Sequence, residues 1–219
     1  MIVPQTRHAG GRGRQNPNAY VIAVCGTSGA GKTTVVRRTA KRLGDAACLH
    51  FDDYAAVSSY PADIGAWIEL GGDLSEWRTP QLTEDLRRLK AGHAVHDPLG
   101  RGAVEPAAFV VVEEPFGRLR PEIGHLIDLV AFVDVPMDIA LVRRMLREFA
   151  DGAPRHPDGY ATRLRELLTH YLREGRDAYL AGIRLVRPPS DLILNGTRPV
   201  EELAQTIATE ALAQRHAGA

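Results

Sequence analysis

The sequence predicts an α/β fold, in which helices cover both faces of a parallel β-sheet. Two observations lead to this prediction. Short apolar runs of strand length, among them 20–25 and 109–112, alternate along the chain with longer segments of helical periodicity. A strand that is followed by a helix and a further strand forms a parallel pair with a right-handed crossover. The chain has 219 residues, of which 44% are hydrophobic, and this suffices for one domain with a substantial core.

Charge and composition argue against several kinds of partner. Lys+Arg and Asp+Glu both number 27, so no net charge favours nucleic acid or an anionic membrane. No apolar stretch approaches the roughly 18 residues of a membrane span, and the first residues lack a signal-peptide core. Cys25 and Cys48 fall in predicted buried strands, which is typical of core thiols in a reducing cytosol. We expect a cytoplasmic protein with no nucleic-acid or membrane partner, and the sequence leaves a homo-oligomer open.

The remaining pattern predicts one domain behind a short tail. Residues 1–18 are rich in Gly, Arg, Pro and Asn without periodicity, which is typical of a disordered tail. From residue 19 to residue 219 the strand and helix patterns alternate without an internal repeat. Further strands are predicted at 46–51, 129–135 and 191–194, and helices at 32–43, 79–92, from 136, from 160, and at 200–212.

A phosphate-binding loop connects the first strand to the first helix. Residues 26–34 match the pattern G-x-x-x-x-G-K-[ST] at every specified position, between an apolar strand and a helix. Glycines let the backbone turn so that N–H groups face phosphate oxygens, and the helix N-terminus attracts the anion. Lys32 would reach the β- and γ-phosphates, and the Thr33 hydroxyl would sit on Mg²⁺. The predicted nucleotide site comprises Gly26, Thr27, Ser28, Gly29, Ala30, Gly31, Lys32, Thr33 and Thr34.

Carboxylates follow two of the other predicted strands. Asp52 and Asp53 come directly after the strand at 46–51, and Glu113 follows the strand at 109–112. Ligands of open α/β sheets bind at the carboxyl ends of the strands, so at least one of the aspartates is a candidate for function. An acid at the end of a strand downstream of a phosphate-binding loop is typical of the carboxylate on the Mg²⁺ side, complementing Thr33.

With these motifs in place, the chain from about Tyr20 onward resembles the uridine kinase-like group of P-loop metabolite kinases. That group includes nicotinamide riboside kinase, phosphoribulokinase and bacterial pantothenate kinase. The resemblance rests on the loop at 26–34, His-Phe-Asp-Asp-Tyr at 50–54, Val-Val-Val-Glu at 110–113, and the segment from Asp-Val-Pro to Arg-Arg-Met-Leu-Arg at 134–147. Pro-Asp-Gly-Tyr at 157–160 and His-Tyr-Leu-Arg at 170–173 look especially like the nicotinamide riboside kinase pattern.

The resemblance implies a three-layer fold with five parallel strands in the order 2-3-1-4-5, and a small lid at about 143–160. It implies that Mg-ATP donates its γ-phosphate to a hydroxyl of a nucleoside-like or other small metabolite. Asp52 would be the general base, with Mg²⁺ near Thr33, Asp52 and Glu113. The other residues it implies are Arg143, Arg144 and Arg147 at the phosphates, Asn195 and Thr197 at the adenine, and Asp53, Tyr54, Trp77, Arg78 and Arg101 at the acceptor.

Two departures from the family pattern bear on the acceptor. Glu114 stands where the family has glycine, so backbone freedom is lost there. Arg78 follows Trp77 where uridine kinases carry an aspartate for the ribose hydroxyls, and an arginine cannot accept those protons. The alternatives are a P-loop kinase of another branch, acting on a sugar or an antibiotic, or a non-catalytic nucleotide-dependent regulator. The GTPase motif Asn-Lys-x-Asp does not occur, since the chain's lysines are Lys32, Lys41 and Lys90.

Overall fold

A five-stranded parallel sheet organises the chain. The structure is a computed structural model, and it describes residues 18–150 and 157–217. The strands are β1 (Tyr20–Cys25), β2 (Ala46–His50), β3 (Val95–His96), β4 (Ala103–Val104), β5 (Phe109–Glu113), β6 (Leu129–Asp134) and β7 (Leu192–Asn195). The helices are α1 (Lys32–Leu43), α2 (Ile64–Glu69), α3 (Pro80–Lys90), α4 (Met137–Ala150), α5 (Pro157–His170), α6 (Arg176–Val186) and α7 (Val200–Ala217).

The order of strands places the phosphate-binding loop at the centre of the sheet. The order is β2-β5-β1-β6-β7, which is 2-3-1-4-5 when only the strands of this sheet are counted. All four neighbouring pairs are parallel, with Glu113 level with Val24 of β1 and with His50 of β2. The ends of β1, β2 and β5 therefore lie side by side, and the segments that follow them converge on one edge of the sheet.

Successive side chains along each strand point to opposite faces of the sheet, so the core has one part on each face. On one face Val21, Ala23 and Cys25 pack with α3, whose Leu82, Leu86 and Leu89 are fully buried. On the other face Ile22 and Val24 pack with α1 and α7. Burying a leucine side chain stabilises the fold by about 2 kcal/mol, so these helices are fixed mainly by their apolar faces. The predicted α/β architecture with helices on both faces is confirmed.

The connection between α3 and β5 differs from the turn-rich segment predicted at 93–105. It contains a two-stranded antiparallel hairpin, in which Val95 pairs with Val104 and His96 with Ala103. These strands have two residues each, too few for periodicity to show them in the sequence. The expected tail lies almost entirely outside the described residues, as does the middle of the expected lid. Within the described ranges, no helix combines the length and apolarity needed to cross a membrane.

Candidate active site

At two positions of the loop after β1, both the backbone conformation and a close contact require glycine. Gly29 has φ of +88°, and a Cβ there would lie 2.1 Å from the Ala140 carbonyl oxygen. Gly26 has φ of +142°, and its Cβ would lie 2.8 Å from the Val133 carbonyl oxygen. Helix α1 begins at Lys32, within the last residues of this loop, with no side-chain cap and no acidic side chain in its first turn. Its N-terminal N–H groups and the positive end of its dipole are therefore available to an anion.

Lys32, Thr33 and Glu113 meet where α1 begins. The Thr33 hydroxyl donates a hydrogen bond to Glu113 Oε2 at 2.7 Å, and Lys32 Nζ lies 3.4 Å from Glu113 Oε1. Lys32 also donates to the Thr27 carbonyl oxygen at 3.2 Å. His50 approaches from β2, with Nδ1 3.5 Å from Glu113 Oε2. The structure thus brings the loop lysine, the loop threonine and the strand-end carboxylate together.

Glu113 carries a negative charge at neutral pH despite its burial. Burial acts to raise the pKa of this carboxyl, but His50, Lys32 and the Thr33 hydroxyl outweigh it and hold the pKa at about 2. The carboxylate therefore offers two charged oxygens beside a hydroxyl oxygen. Oxygen donors of this kind suit Mg²⁺, which is usually held by one or two carboxylates together with substrate phosphates. In the described part of the chain, no group of three or more His, Cys, Asp or Glu side chains could hold a metal by itself.

Asp52 lines a cavity of about 320 Å³ beside the phosphate-binding loop. Its side chain makes no hydrogen bond or ion pair within the described residues, whereas Lys32 and residues 26–28 line the same cavity. One wall is aromatic, since Trp77 packs 5.1 Å from Phe116 and 5.8 Å from Trp67 between ring centroids. The cavity therefore combines a phosphate-binding end, a free carboxylate and an apolar wall.

Asp53 turns away from Asp52 and joins the hairpin β3–β4. Arg101 donates a hydrogen bond to Asp53 and binds both carboxylate oxygens of Asp97, at 2.7–3.0 Å. These bonds lower the pKa of Asp97. Neither Asp53 nor Arg101 lines the cavity. The two predicted acceptor residues are paired with each other, and the pair ties the hairpin to the segment that carries Asp52.

The other predicted acceptor residues fall into different environments. Trp77 lines the cavity. Tyr54 is 1% exposed, and its hydroxyl donates to Asp85 at 2.9 Å, so its side chain belongs to the core. Arg78 pairs through its backbone with Ser59 and lines a separate groove beside Pro121. The structure therefore does not bring Tyr54 or Arg78 to the cavity of Asp52.

The arginines of α4 point to different places. Arg143 donates to the Gly196 carbonyl oxygen at 3.0 Å, and Arg144 donates to the Tyr179 hydroxyl at 2.7 Å. Arg147 is exposed and makes no hydrogen bond or ion pair with another described residue. The arginines expected at the phosphates thus spread between the β7 turn, the wall of the cavity and the surface.

The turn after β7 is ordered by its own side chains. Asn195 Oδ1 accepts hydrogen bonds from the Thr197 N–H at 3.0 Å and the Thr197 hydroxyl at 2.7 Å. A Cβ at Gly196 would lie 2.3 Å from Val135 Cγ2, so the turn packs closely on the end of β6. With Arg143 bound to its backbone, this turn lies at the same edge of the sheet as the phosphate-binding loop.

A buried ion pair beside Glu113 was missed by the sequence analysis. Glu114 and Arg120 are both 0% exposed, and Arg120 donates two hydrogen bonds to the carboxylate, at 3.0 Å and 2.5 Å. Arg120 also donates to the Trp77 carbonyl oxygen at 2.7 Å and to Glu122 at 2.8 Å. The pair therefore fixes the aromatic wall relative to the end of β5. The only sequence clue was the glutamate in place of the family's glycine.

A second group of missed residues comes from the C-terminal helices. Three of them line the cavity: His170 at the end of α5, Glu174 in the turn between the two helices, and Tyr179 in α6. The motif at 170–173 marked this region by resemblance, but it did not indicate that the segment faces Asp52.

Comparisons with known proteins concern the family and the class of activity. A uridine kinase from Deinococcus deserti is 28% identical over 192 residues, covering 80% of this chain and 86% of that protein. A uridine kinase from Borrelia duttonii is 24% identical over 186 residues, covering 80% and 85%. The chain is similar to uridine kinases over most of its length. The predicted resemblance to uridine kinase-like P-loop kinases is thereby confirmed, and these relatives agree with the predicted phosphotransferase class. No family model matches the chain.

Solved structures support the fold. TT1252 from Thermus thermophilus superposes with a TM-score of 0.50 at 19% identity, over 90% of this chain and 98% of that one. A protein from Silicibacter sp. TM1040, provisionally assigned as a fructose transport system kinase, gives 0.53 at 15% identity, over 83% and 92%. At these identities the likeness concerns the architecture alone.

Proposed function

We propose that this chain is an ATP-dependent small-molecule kinase, which transfers the γ-phosphate of Mg-ATP to a hydroxyl of a nucleoside-like or other small metabolite. The observation that carries the proposal is the shared cavity of Asp52 and the phosphate-binding loop. A carboxylate without a protein partner among the described residues and the lysine expected at the β- and γ-phosphates line the same cavity, which is of metabolite size.

The nucleotide would bind across the loop at 26–34 and the turn at 195–197. The loop N–H groups and Lys32 would hold the phosphates, and the turn would flank the base. Arg143 supports the turn through its bond to Gly196, which makes it a positioning residue for the base in this arrangement. Arg144 and Arg147 remain the candidates for contact with the phosphates when the lid closes.

The donors at the end of β5 fit Mg²⁺. Thr33 and Glu113 would hold the ion together with the substrate phosphates, and Asp52 would be the third candidate ligand. The ion would neutralise the negative charge on the transferring phosphoryl group. The low pKa of Glu113 keeps this carboxylate charged throughout the physiological range.

The residues of the chain would perform three tasks. Asp52 would accept the proton of the acceptor hydroxyl. The hydroxyl oxygen would attack the γ-phosphorus as the bond to ADP breaks. Lys32 would hold the charged oxygens of the phosphates. The aromatic wall around Trp77 would orient the acceptor and keep water away from the phosphoryl group, since water would otherwise take it.

A coupled ADP-release assay tests the proposal. Mg-ATP is offered with an acceptor panel of nucleosides, nicotinamide riboside, pantothenate, pentoses, sugar phosphates and aminoglycosides. We expect one class to stimulate ADP release, and Asp52→Asn to lower kcat by roughly 10²- to 10⁴-fold with little change in ATP affinity, which is the usual size of a general-base effect.

Asp53→Asn is the matched control, because Asp53 is the neighbouring carboxylate but is bound to Arg101 outside the cavity. It should keep kcat within a few-fold of the wild type. If Asp53→Asn lost activity and Asp52→Asn kept it, the assignment of the base would be wrong.

A further inference from the structure

The lining of the cavity includes an unusual helical turn. Residues Tyr171–Gly175 form a π-helical turn between α5 and α6, in which the Arg176 N–H donates to the Tyr171 carbonyl oxygen five residues earlier. Such turns are rare and frequently lie at functional sites. Glu174 and Gly175 of this turn line the cavity, together with His170 before it and Tyr179 after it.

Glu174 is a half-buried carboxylate without a partner in the described part of the chain. Its stem lies against α2, where a Cβ built on Gly65 would be 3.9 Å from Glu174 Cγ. The stem therefore lies near α2, while no group of the described residues binds the carboxylate itself. A charged group in this position is costly unless water or a ligand donates hydrogen bonds to it.

Once a nucleotide occupies the phosphate end, the ionisable groups left in the cavity include more carboxylates than cationic side chains. The ionisable groups among the described lining residues are Lys32, Asp52, His170, Glu174 and Tyr179. Lys32 belongs to the phosphate end, and no described arginine lines the cavity. Arg144 lies behind the wall, bound to the Tyr179 hydroxyl. Apart from His170 and Tyr179, what lines the acceptor end is therefore an aromatic wall and two carboxylates, and no lysine or arginine among the described lining residues lies outside the phosphate end.

We propose that Glu174 determines the specificity for the acceptor, by accepting hydrogen bonds from its polar groups and by repelling acceptors that carry a phosphate or a carboxylate. This inference rests on the proposed kinase function and narrows its substrate class. The acceptor is an uncharged or positively charged alcohol with a planar ring for the aromatic wall of Trp67, Trp77 and Phe116. A hydrogen bond to a carboxylate in a partly buried site corresponds to roughly a 10- to 100-fold effect on binding.

The experiment compares the wild type with Glu174→Gln and with the control Glu166→Gln. Glu166 is exposed on α5 and does not line the cavity. Probes are uridine and cytidine as neutral acceptors, nicotinamide riboside as a cationic acceptor, and pantothenate and ribose 5-phosphate as anionic acceptors. Their kcat and KM are measured by ADP release. Binding is followed separately by tryptophan fluorescence, because both tryptophans of the chain line the cavity.

The proposal predicts that a neutral or cationic acceptor has the highest kcat/KM. Glu174→Gln should raise its KM and its dissociation constant by about tenfold or more, with kcat and the KM for ATP within about twofold of the wild type. Glu166→Gln should change neither constant. A merely structural role of Glu174 would instead lower kcat or alter the KM for ATP as well.

Two further outcomes separate this inference from the function on which it rests. If no acceptor stimulates ADP release and none quenches the fluorescence, the kinase proposal itself fails. If an anionic acceptor has the highest kcat/KM, or if Glu174→Gln leaves the KM of the preferred acceptor unchanged, the chain is a kinase but the role of Glu174 is overturned.

Discussion

Replacing Arg120 by methionine should destabilise the protein strongly, because it leaves the Glu114 carboxylate buried without its partner. Both side chains are 0% exposed, and Arg120 supplies two of the hydrogen bonds that Glu114 receives. Breaking a buried pair from one side costs about 3–5 kcal/mol, which is a large fraction of the 5–15 kcal/mol typical of a domain. For a chain of this length the corresponding fall in Tm is about 6–20 °C.

The pH dependence of Arg120→Met provides a sharper check. Burial raises the pKa of Glu114, and Arg120 acts against this. Without Arg120 the pKa rises further, so the native state keeps a proton that the unfolded chain releases. The free energy of unfolding of Arg120→Met should therefore fall relative to the wild type as pH rises from about 5 to about 8.

Urea unfolding followed by circular dichroism measures both effects, with the double variant Glu114→Gln/Arg120→Met as the matched control. This variant removes the charges but keeps an acceptor for the Phe116 N–H, which Glu114 binds at 3.1 Å. It should recover most of the lost stability and show no added pH dependence. A loss below about 1 kcal/mol in Arg120→Met, or a double variant as unstable as the single one, would refute the reasoning.

Two other predictions concern the phosphate end of the site. Lys32→Ala should abolish productive binding or turnover of Mg-ATP, because the phosphates lose their fixed cation; an unchanged kcat in the ADP-release assay would contradict the assignment of the loop. Glu113, whose pKa falls from its ordinary 4.5 to about 2 in the native state, should contribute about 3 kcal/mol of stability above pH 4.5. This contribution should be lost as pH falls from 4.5 towards 2. In urea unfolding at a series of pH values, the free energy of unfolding of Glu113→Gln should therefore fall less over this range than that of the wild type.

The fold and the phosphate end could be predicted because their determinants are contiguous in the sequence. The loop at 26–34 needs glycine because its backbone has a positive φ at Gly26 and at Gly29. The strand before it is a continuous apolar run. Glu113 was recognisable as the acid that ends a buried strand. Parallel pairing then brings the ends of β1 and β5 together, which explains why Thr33 and Glu113 meet.

The rest of the site depends on side-chain direction, which the sequence does not specify. Tyr54 follows two aspartates, yet its ring faces the core and its hydroxyl binds Asp85. Arg78 follows Trp77, but the backbone pairing with Ser59 places the two side chains differently, and only Trp77 reaches the cavity.

Glu114 and Glu174 show two further limits of sequence analysis. The partner of Glu114 is one arginine among the many of this chain, and tertiary packing alone selects Arg120. The sequence around Glu174 predicts a helix only through the spacing of its apolar residues. That spacing does not distinguish a π-helical turn from an α-helix.

The central claim is the transfer of a phosphoryl group to an acceptor hydroxyl, and it is tested most directly by following the phosphate itself. ATP labelled in its γ-phosphate is incubated with Mg²⁺, the protein and the best acceptor of the panel, and the products are separated. The account predicts that the label enters a phosphate ester of the acceptor, and that Asp52→Asn forms this ester far more slowly. Label recovered only as inorganic phosphate, at a rate that depends neither on the acceptor nor on Asp52, would contradict it.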